Sequence, residues 1–310
     1  MKKRILVTGC AGFIGSSIAQ ELINRKHEVW GIDNLSTGKK SNIPSKVKFF
    51  RGNCENDIVL KKLKKKSFNS ILHFAGQSSG ELSFYDPIKD MNSNFYSTVK
   101  LLEYAKKNKC NHFIYASSMS VYGEVPDRPV YEKEYCIPKS FYGASKLASE
   151  NYIRLFSNKK INSTVLRIFN VYGPGQNLDN SKQGMLSIYL DQIFRNKTLK
   201  VRGSKNRSRD FVYIKDVVDI VLKMMGNKKC FNQTFNLGSG KKYRVQEVIE
   251  KIKKISKINF KVFYKKSTPL DQFHIYPNIN KLKKVIQVKK MTPIDQGLHR
   301  FVLFLKKIYK

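Results

Sequence analysis

Acidic residues are scarce in this chain. Asp and Glu number 23 against 59 Lys and Arg, so the 310 residues carry a formal net charge of +36. Cysteine is sparse too: Cys10, Cys54, Cys110, Cys136 and Cys230 are odd in number, widely separated and contain no CxxC pair. That pattern excludes a disulfide framework and a thiolate zinc site. The five histidines are scattered, so no metal centre is expected. No run of eighteen uninterrupted apolar residues occurs, which excludes a transmembrane helix. The opening Met1-Lys2-Lys3-Arg4 imitates the charged lead of a signal peptide, but the apolar run behind it stops at Thr8-Gly9 after three residues. No small-residue cleavage site follows. What is present is 41% hydrophobic and 12% aromatic residues, enough for a packed core and against disorder. The length allows one large core or two ordinary domains. A soluble, cytoplasmic, globular protein is the expectation.

The positive excess poses its own question. A strongly basic chain can bind nucleic acid. Specific phosphate readers favour Arg for its planar fork, however, and only twelve of the 59 cations here are Arg. The lysines are diffuse, with one cluster at Lys61-Lys62-Leu63-Lys64-Lys65-Lys66 and another at Lys251-Ile252-Lys253-Lys254. They read as a solvated surface that hastens capture of small anions at low salt, so neither nucleic acid nor membrane is an expected partner.

Along the chain, short β-rich apolar runs alternate with helical patterns. Strands are expected at Arg4–Thr8, Val29–Asp33, Val47–Phe50, Ile71–Ala75, His112–Ser117 and Thr164–Phe169. Helices are expected through Phe13, Ile14, Ile18, Leu22 and Ile23, over Asp86–Lys107 and over Phe141–Phe156. Such alternation implies right-handed crossovers and a doubly wound parallel α/β sheet, with the strand count stopping near six. Beyond Tyr172-Gly173-Pro174-Gly175 come polar loops, a basic cluster (Arg202 to Arg209), strand-like Phe211–Ile214 and Lys-rich segments. The expected division is residues 1–172, with a later contribution from about 210–236, and a smaller α/β substrate domain over 173–310. The last helix, Gly297 to Tyr309, is basic and amphipathic; docking on its own domain is the reading preferred over a membrane surface.

Thr8-Gly9-Cys10-Ala11-Gly12-Phe13-Ile14-Gly15 joins the first strand to the first helix. Glycines at 9, 12 and 15 allow a tight turn, close approach of a pyrophosphate, and close helix–sheet packing. The helix N-terminus offers free N–H groups to phosphate. Asp33 ends the second strand, placed to take ribose hydroxyls and repel a 2′-phosphate, so NAD is favoured over NADP. A second constellation joins Ser118, at a strand end, to Tyr142 and Lys146. The last two are four apart on a helix and so share a face. An ammonium beside a phenol favours the phenolate, which would make Tyr142 a base.

These motifs resemble the extended short-chain dehydrogenases/reductases, and within them the nucleotide-sugar 4-epimerases. The resemblance covers almost the whole chain. It rests on Thr8–Gly15, Asp33–Gly38, His73–Gly76, Asn94, Ser117-Ser118, Tyr142–Lys146, Arg167–Gly175 and Arg209-Asp210-Phe211. It implies a Rossmann fold, NAD as cofactor, a nucleotide sugar as substrate and a homodimer. By the same resemblance Ser118, Tyr142 and Lys146 are catalytic. Gly9, Gly12, Phe13, Ile14, Gly15, Asp33, Asn34, Ser36, Thr37, Gly38, Asn53 and Cys54 would contact the cofactor, as would Phe74, Ala75, Gly76, Gln77, Asn94, Ser117, Tyr142, Lys146 and Phe169. Ser78, Ser118, Tyr142, Asn170, Arg209 and Asp271 would contact substrate. The implied chemistry is removal of the sugar 4-hydroxyl proton by Tyr142 with hydride transfer from C4. The transient 4-keto sugar turns over, and hydride returns to its other face.

Departures narrow the reading. Dehydratases of the family carry Thr-Asp-Glu where this chain has Ser118-Met119-Ser120, and the decarboxylases also place Glu there, so neither reaction is expected. Asn53 stands where Asp commonly contacts adenine. The loop Gln77-Ser78-Ser79-Gly80-Glu81 is unusual, with Glu81 near the expected substrate. Thr268 replaces a diphosphate-binding Arg in Ser267–Asp271. The alternatives are a nucleotide-sugar 4-dehydrogenase or 4-ketoreductase using the same three residues, and, from the charge alone, an NAD-bound regulatory or nucleic-acid-binding protein. His73 reads as a packed strand residue and Cys10 as a small filler.

Overall fold

The computed structural model describes residues 2–63, 66–157, 161–179, 184–267, 272–288 and 290–309. Its strands are β1 (Arg4–Thr8), β2 (Glu28–Asp33), β3 (Lys48–Arg51), β4 (Ser70–His73), β5 (Phe113–Ser118), β6 (Ser163–Ile168) and β7 (Asn170–Tyr172), then β8 (Thr198–Arg202), β9 (Ser208–Arg209), β10 (Phe211–Tyr213), β11 (Gln233–Leu237), β12 (Tyr243–Arg244), β13 (Lys261–Lys265) and β14 (His274–Ile275). The helices are α1 (Phe13–Asn24), α2 (Asp57–Lys62), α3 (Gly80–Tyr85), α4 (Pro87–Met91), α5 (Ser97–Lys107) and α6 (Phe141–Ser157), followed by α7 (Met185–Asn196), α8 (Ile214–Met224), α9 (Val245–Ser256), α10 (Asn280–Ile286) and α11 (Ile294–Ile308).

Seven strands form one parallel sheet in the order β11-β6-β5-β4-β1-β2-β3. This is the doubly wound Rossmann-type arrangement expected from the alternating pattern. The seventh strand corrects the count of six: β11 pairs with β6 from Gln233↔Thr164 to Leu237↔Ile168. Strand alternation supplies both faces of the sheet. On β1, Ile5 and Val7 enter a large core with Ile18 and Leu22 of α1, while Leu6 enters the opposite core with Trp30, Phe68, Leu101 and Leu102. The order reverses at β1, whose neighbours are β2 and β4. At such a switch point the carboxyl ends of the strands part and leave a crevice for a ligand.

The segment expected to be one helix over 86–107 is interrupted. Helix α4 ends at Met91, a π-type turn spans Asn92–Tyr96, and α5 begins at Ser97. Single π turns inside helices often accompany functional residues, and Asn94 sits in this one. After Tyr172 the chain makes small sheets, β10-β7, β12-β9-β14 and β13-β8. The terminal helix docks: Leu298, Phe301, Val302 and Leu305 of α11 are buried. Its Gly297 lies so close to the Tyr172 hydroxyl that a Cβ there would come within 2.0 Å. Among the described residues no helix is long and apolar enough to cross a membrane, and no His/Cys/Asp/Glu group could hold a metal.

Candidate active site

The turn after β1 is built where no side chain fits. Gly9 has φ +70, and a Cβ on Gly15 would lie 2.1 Å from the Gly9 carbonyl oxygen. A Cβ on Gly38 would meet the Ala11 backbone at 2.6 Å, so the segment after β2 lies directly against this turn. Asp33 ties the two together by accepting from Ala11 N at 2.9 Å and Leu35 N at 2.8 Å. Phe13 and Ile14 open α1 behind the turn, partly buried against the core. Ser36 and Thr37 are exposed beside Gly38. Asn34 donates to Asn53 Oδ1 at 2.8 Å, so Asn53 holds Asn34 in place. Cys54 and Cys10 are buried. Burial pushes the Cys10 thiol up to about 12 and Cys54 higher still, which makes both inert fillers.

The ends of β4 and β5 close the other wall. His73 is fully buried between Thr8 Oγ1 at 2.7 Å and Thr98 Oγ1 at 3.1 Å. Thr98 already donates its hydroxyl proton to Asn94 O at 2.6 Å, so it must accept from His73 Nε2–H. His73 is therefore the Nε2–H tautomer, with Nδ1 accepting from Thr8, and desolvation pushes its pKa down to about 3. It is a structural clamp, as its place on the strand suggested. Phe74, Ala75, Gly76, Gln77 and Ser78 follow it along the crevice, and Ala75 N donates to Thr8 Oγ1 at 3.2 Å. Gln77 turns inward and donates to Asp90 Oδ1 at 2.8 Å.

Ser118, Tyr142 and Lys146 converge at the end of β5. The Ser118 hydroxyl accepts from Ser120 N at 3.2 Å, and its single proton either goes to Ser120 Oγ at 3.1 Å or, turned to Tyr142, favours the phenolate. Lys146 Nζ donates to Ala116 O at 3.0 Å and lies 4.9 Å from the Tyr115 ring centre and 5.8 Å from that of Tyr142. Both residues are buried, with opposite effects. Desolvation pushes the Tyr142 phenol up to about 12, and it pushes Lys146 down to about 8 against the pull of Asp90 and Glu150. The ammonium therefore survives at neutral pH, but in the protein alone it does not bring the phenol below its ordinary value.

Other expected residues take less direct places. Ser117 donates to Glu150 Oε1, and Arg167 donates to the same carboxylate at 3.1 Å (Oε1) and 2.7 Å (Oε2). This buried pair, with both side chains 8% exposed, stiffens the strand end carrying Ser118. Phe169 packs with Val121, Tyr122, Val130 and Ile275. Asn170 donates to Asp210 O at 2.7 Å, and its amide also lies 3.7 Å from Met119 Sδ. Arg209 is buried and donates to Ser208 O at 2.8 Å. Glu81, on α3, meets Arg202 at 3.3 Å. Asp271 and Thr268 lie outside the described residues. Sequence reasoning missed Asp90, Ser120 and Glu150. The four-residue step from Asp90 to Asn94 was the available signal for the first.

Two features fit a bound dinucleotide. Asn94 Oδ1 is buried without a hydrogen-bond partner, and a Cβ on Gly76 would strike it at 2.3 Å while standing 3.5 Å from Lys146 Nζ. An unsatisfied acceptor and a cation thus face one spot of bare backbone, beside the glycine turn after β1. The sequence model of the NAD dependent epimerase/dehydratase family matches residues 5–238.

The chain belongs to that family.

NAD is its cofactor. A putative UDP-glucose 4-epimerase of Methanocaldococcus jannaschii is 34% identical over 97% of this chain and 98% of its own length. The UDP-glucose 4-epimerase of Thermotoga maritima, solved with UDP-glucose, superposes with a TM-score of 0.95 at 30% identity, covering 99% of this chain and 100% of that one. The Thermus thermophilus UDP-glucose 4-epimerase, solved with NAD, gives a TM-score of 0.90 at 28% identity, covering 98% and 99%. The comparisons support nucleotide-sugar epimerase activity, the coarse form of the expectation drawn from the motifs.

Proposed function

We propose that this family member inverts C4 of a UDP-activated sugar through a transient 4-keto sugar. The observation that carries the reading is the convergence of Ser118, Tyr142 and Lys146 at the end of β5, with Lys146 beside the bare backbone at Gly76. Positions 119 and 120 supply a thioether and a hydroxyl but no acid, which disfavours water elimination and decarboxylation. When bound, NAD supplies the acceptor and donor of the C4 hydride. Tyr142 takes the proton from the sugar 4-hydroxyl and later returns it. Ser118 donates a hydrogen bond to the same oxygen as it becomes a carbonyl. Lys146, still an ammonium at neutral pH, favours the phenolate once substrate and cofactor exclude water from around the pair. Asn170 and Arg209 are the proposed diphosphate contacts, and residues 173–310 the part that selects the sugar.

Retention of cofactor through each cycle fits a contact across the crevice. Asn177 donates to Thr37 O at 3.3 Å, and Lys39 pairs with Asp179 at 2.7 Å. A homodimer is supported by exposed Phe84, Ile88, Met91, Tyr96, Tyr152 and Leu155 on α3, α4, the π turn and α6; light scattering reads it directly. To test the activity, purified protein is denatured and its supernatant assayed for NAD, and native protein is given UDP-, GDP- and dTDP-sugars. Interconversion of C4 epimers without added cofactor is expected. Net keto-sugar or alcohol formation with NAD(H) consumption would point instead to a 4-dehydrogenase or 4-ketoreductase. Tyr142→Phe should lower turnover by about 10³-fold while NAD stays bound; a fully active variant would remove Tyr142 from the chemistry.

A further inference from the structure

Asp90 has no part in the steps above, yet it is fully buried beneath them. Its Oδ1 accepts from Asn94 Nδ2 at 3.0 Å and from Gln77 Nε2 at 2.8 Å. Its Oδ2 is buried without a well-directed hydrogen bond, next to Ser145 of α6. An ionised carboxylate can only accept hydrogen bonds. The Asn94 amide must therefore present its NH₂ to Asp90 and its carbonyl to the other side, where Gly76 and Lys146 Nζ lie. The unpartnered Asn94 Oδ1 is thus the consequence of a carboxylate one helical turn earlier.

We propose that Asp90 is a positioning residue of the cofactor site: it fixes the Asn94 carbonyl toward the bare backbone at Gly76 and serves as the buried counter-charge of Lys146. The groups facing Lys146 come from every neighbouring element. They are Asp90 of α4, Tyr142 and Glu150 of α6, Tyr115 of β5 and His73 of β4. His73 is neutral above about pH 3 and burial pushes the Tyr115 phenol far up. The charges left are two carboxylates and one ammonium. Burial pushes the Asp90 carboxyl up, and Ser145, Gln77, Lys146 and Asn94 all pull it back toward the ionised form. Removing its charge leaves Lys146 with Glu150 alone, so the ammonium is lost at lower pH. This role rests on NAD binding and is independent of which sugar is turned over.

The test uses NADH, whose bound fluorescence reports affinity without any substrate. Apo-protein of the wild type, Asp90→Asn, Asn94→Ala and the double variant is titrated with NADH across pH 6 to 10. Each single variant should bind about tenfold more weakly at pH 7, and the double variant no more weakly than the worse single. Wild-type affinity should fall as Lys146 loses its proton from about pH 8, and Asp90→Asn should fall about one pH unit earlier. Asp90→Glu should recover the wild-type pH midpoint. If Asp90→Asn does not fold, Asn94→Asp tests the same contact from the other side. By setting two carboxylates together it should weaken NADH more than Asn94→Ala does. Losses that multiply in the double variant, an unmoved midpoint in Asp90→Asn, or Asn94→Asp binding as well as Asn94→Ala would each overturn the assignment.

Discussion

The two sides of the cofactor crevice use the same kinds of charge in opposite ways. Beneath Ser118, Tyr142 and Lys146, Glu150 and Arg167 form a bidentate pair with both side chains 8% exposed. Arg167 also donates to Glu132 O at 3.0 Å and lies over the Tyr122 ring at 4.8 Å. Across the mouth, Lys39–Asp179 and Arg195–Asp179 join partners that are 47–62% exposed. A buried pair is expensive to desolvate, so once formed it is costly to break from one side. Exposed pairs exchange cheaply with water and are screened by salt. The floor of the site therefore fixes geometry, whereas the rim can yield to an incoming nucleotide at little cost.

The sharpest way to break this contrast is Glu150→Gln. It leaves the Arg167 charge buried and should cost about 3–5 kcal/mol in urea unfolding, while the apolar pair Glu150→Leu/Arg167→Met recovers most of the loss. Loss below about 1 kcal/mol would mean that the floor is as yielding as the rim.

Acid comes next. His73 in the floor and His112, just before β5 at the opposite end of the sheet, have pKa values pushed down by burial to about 3 and about 4. Both are neutral through local partners: His112 Nδ1 accepts from Gly226 N at 3.1 Å, and Nε2 faces Thr164 Oγ1 at 2.8 Å. Because the unfolded chain binds these protons near pH 6.5, their contribution is complete above that value and is lost as pH falls toward 3. Between pH 7 and 5.5 the two together should remove roughly 1–3 kcal/mol, read from urea midpoints. A midpoint that does not move over this interval would show that the rings are not held neutral.

The smallest effect belongs to the rim. Lys39→Ala should change stability by less than about 0.5 kcal/mol, and the difference from wild type should vanish in 1 M salt.

The parts of the site legible in sequence are those carried by local chemistry. The strand–glycine–helix turn and the Tyr142–Lys146 step each need only one element and its flanks, and the structure sets them on the same crevice. Buried polar contacts were not legible, because Glu150 and Arg167 are seventeen residues apart on different elements and meet only through packing. The expected lowering of the Tyr142 phenol failed for a related reason: burial acts on both partners and cannot be read from spacing. The π turn hides because Asn92–Tyr96 carries no distinctive residue pattern. Strand β11 was missed since its run, Gln233–Leu237, begins and ends among polar and Lys-rich segments.

That last strand has a consequence for biosynthesis. Strand β6 emerges from the ribosome with one side paired to β5, but its other edge waits about sixty-five residues for β11. Until Leu237 is made, a row of unpaired backbone groups lies open beside an apolar sheet, a template for association with other nascent chains. Cutting the chain after the sixth strand would not release an independent nucleotide-binding unit. The last sheet position is reserved for a segment made only after the polar loops and the basic cluster, so completing the floor of the crevice requires most of the molecule.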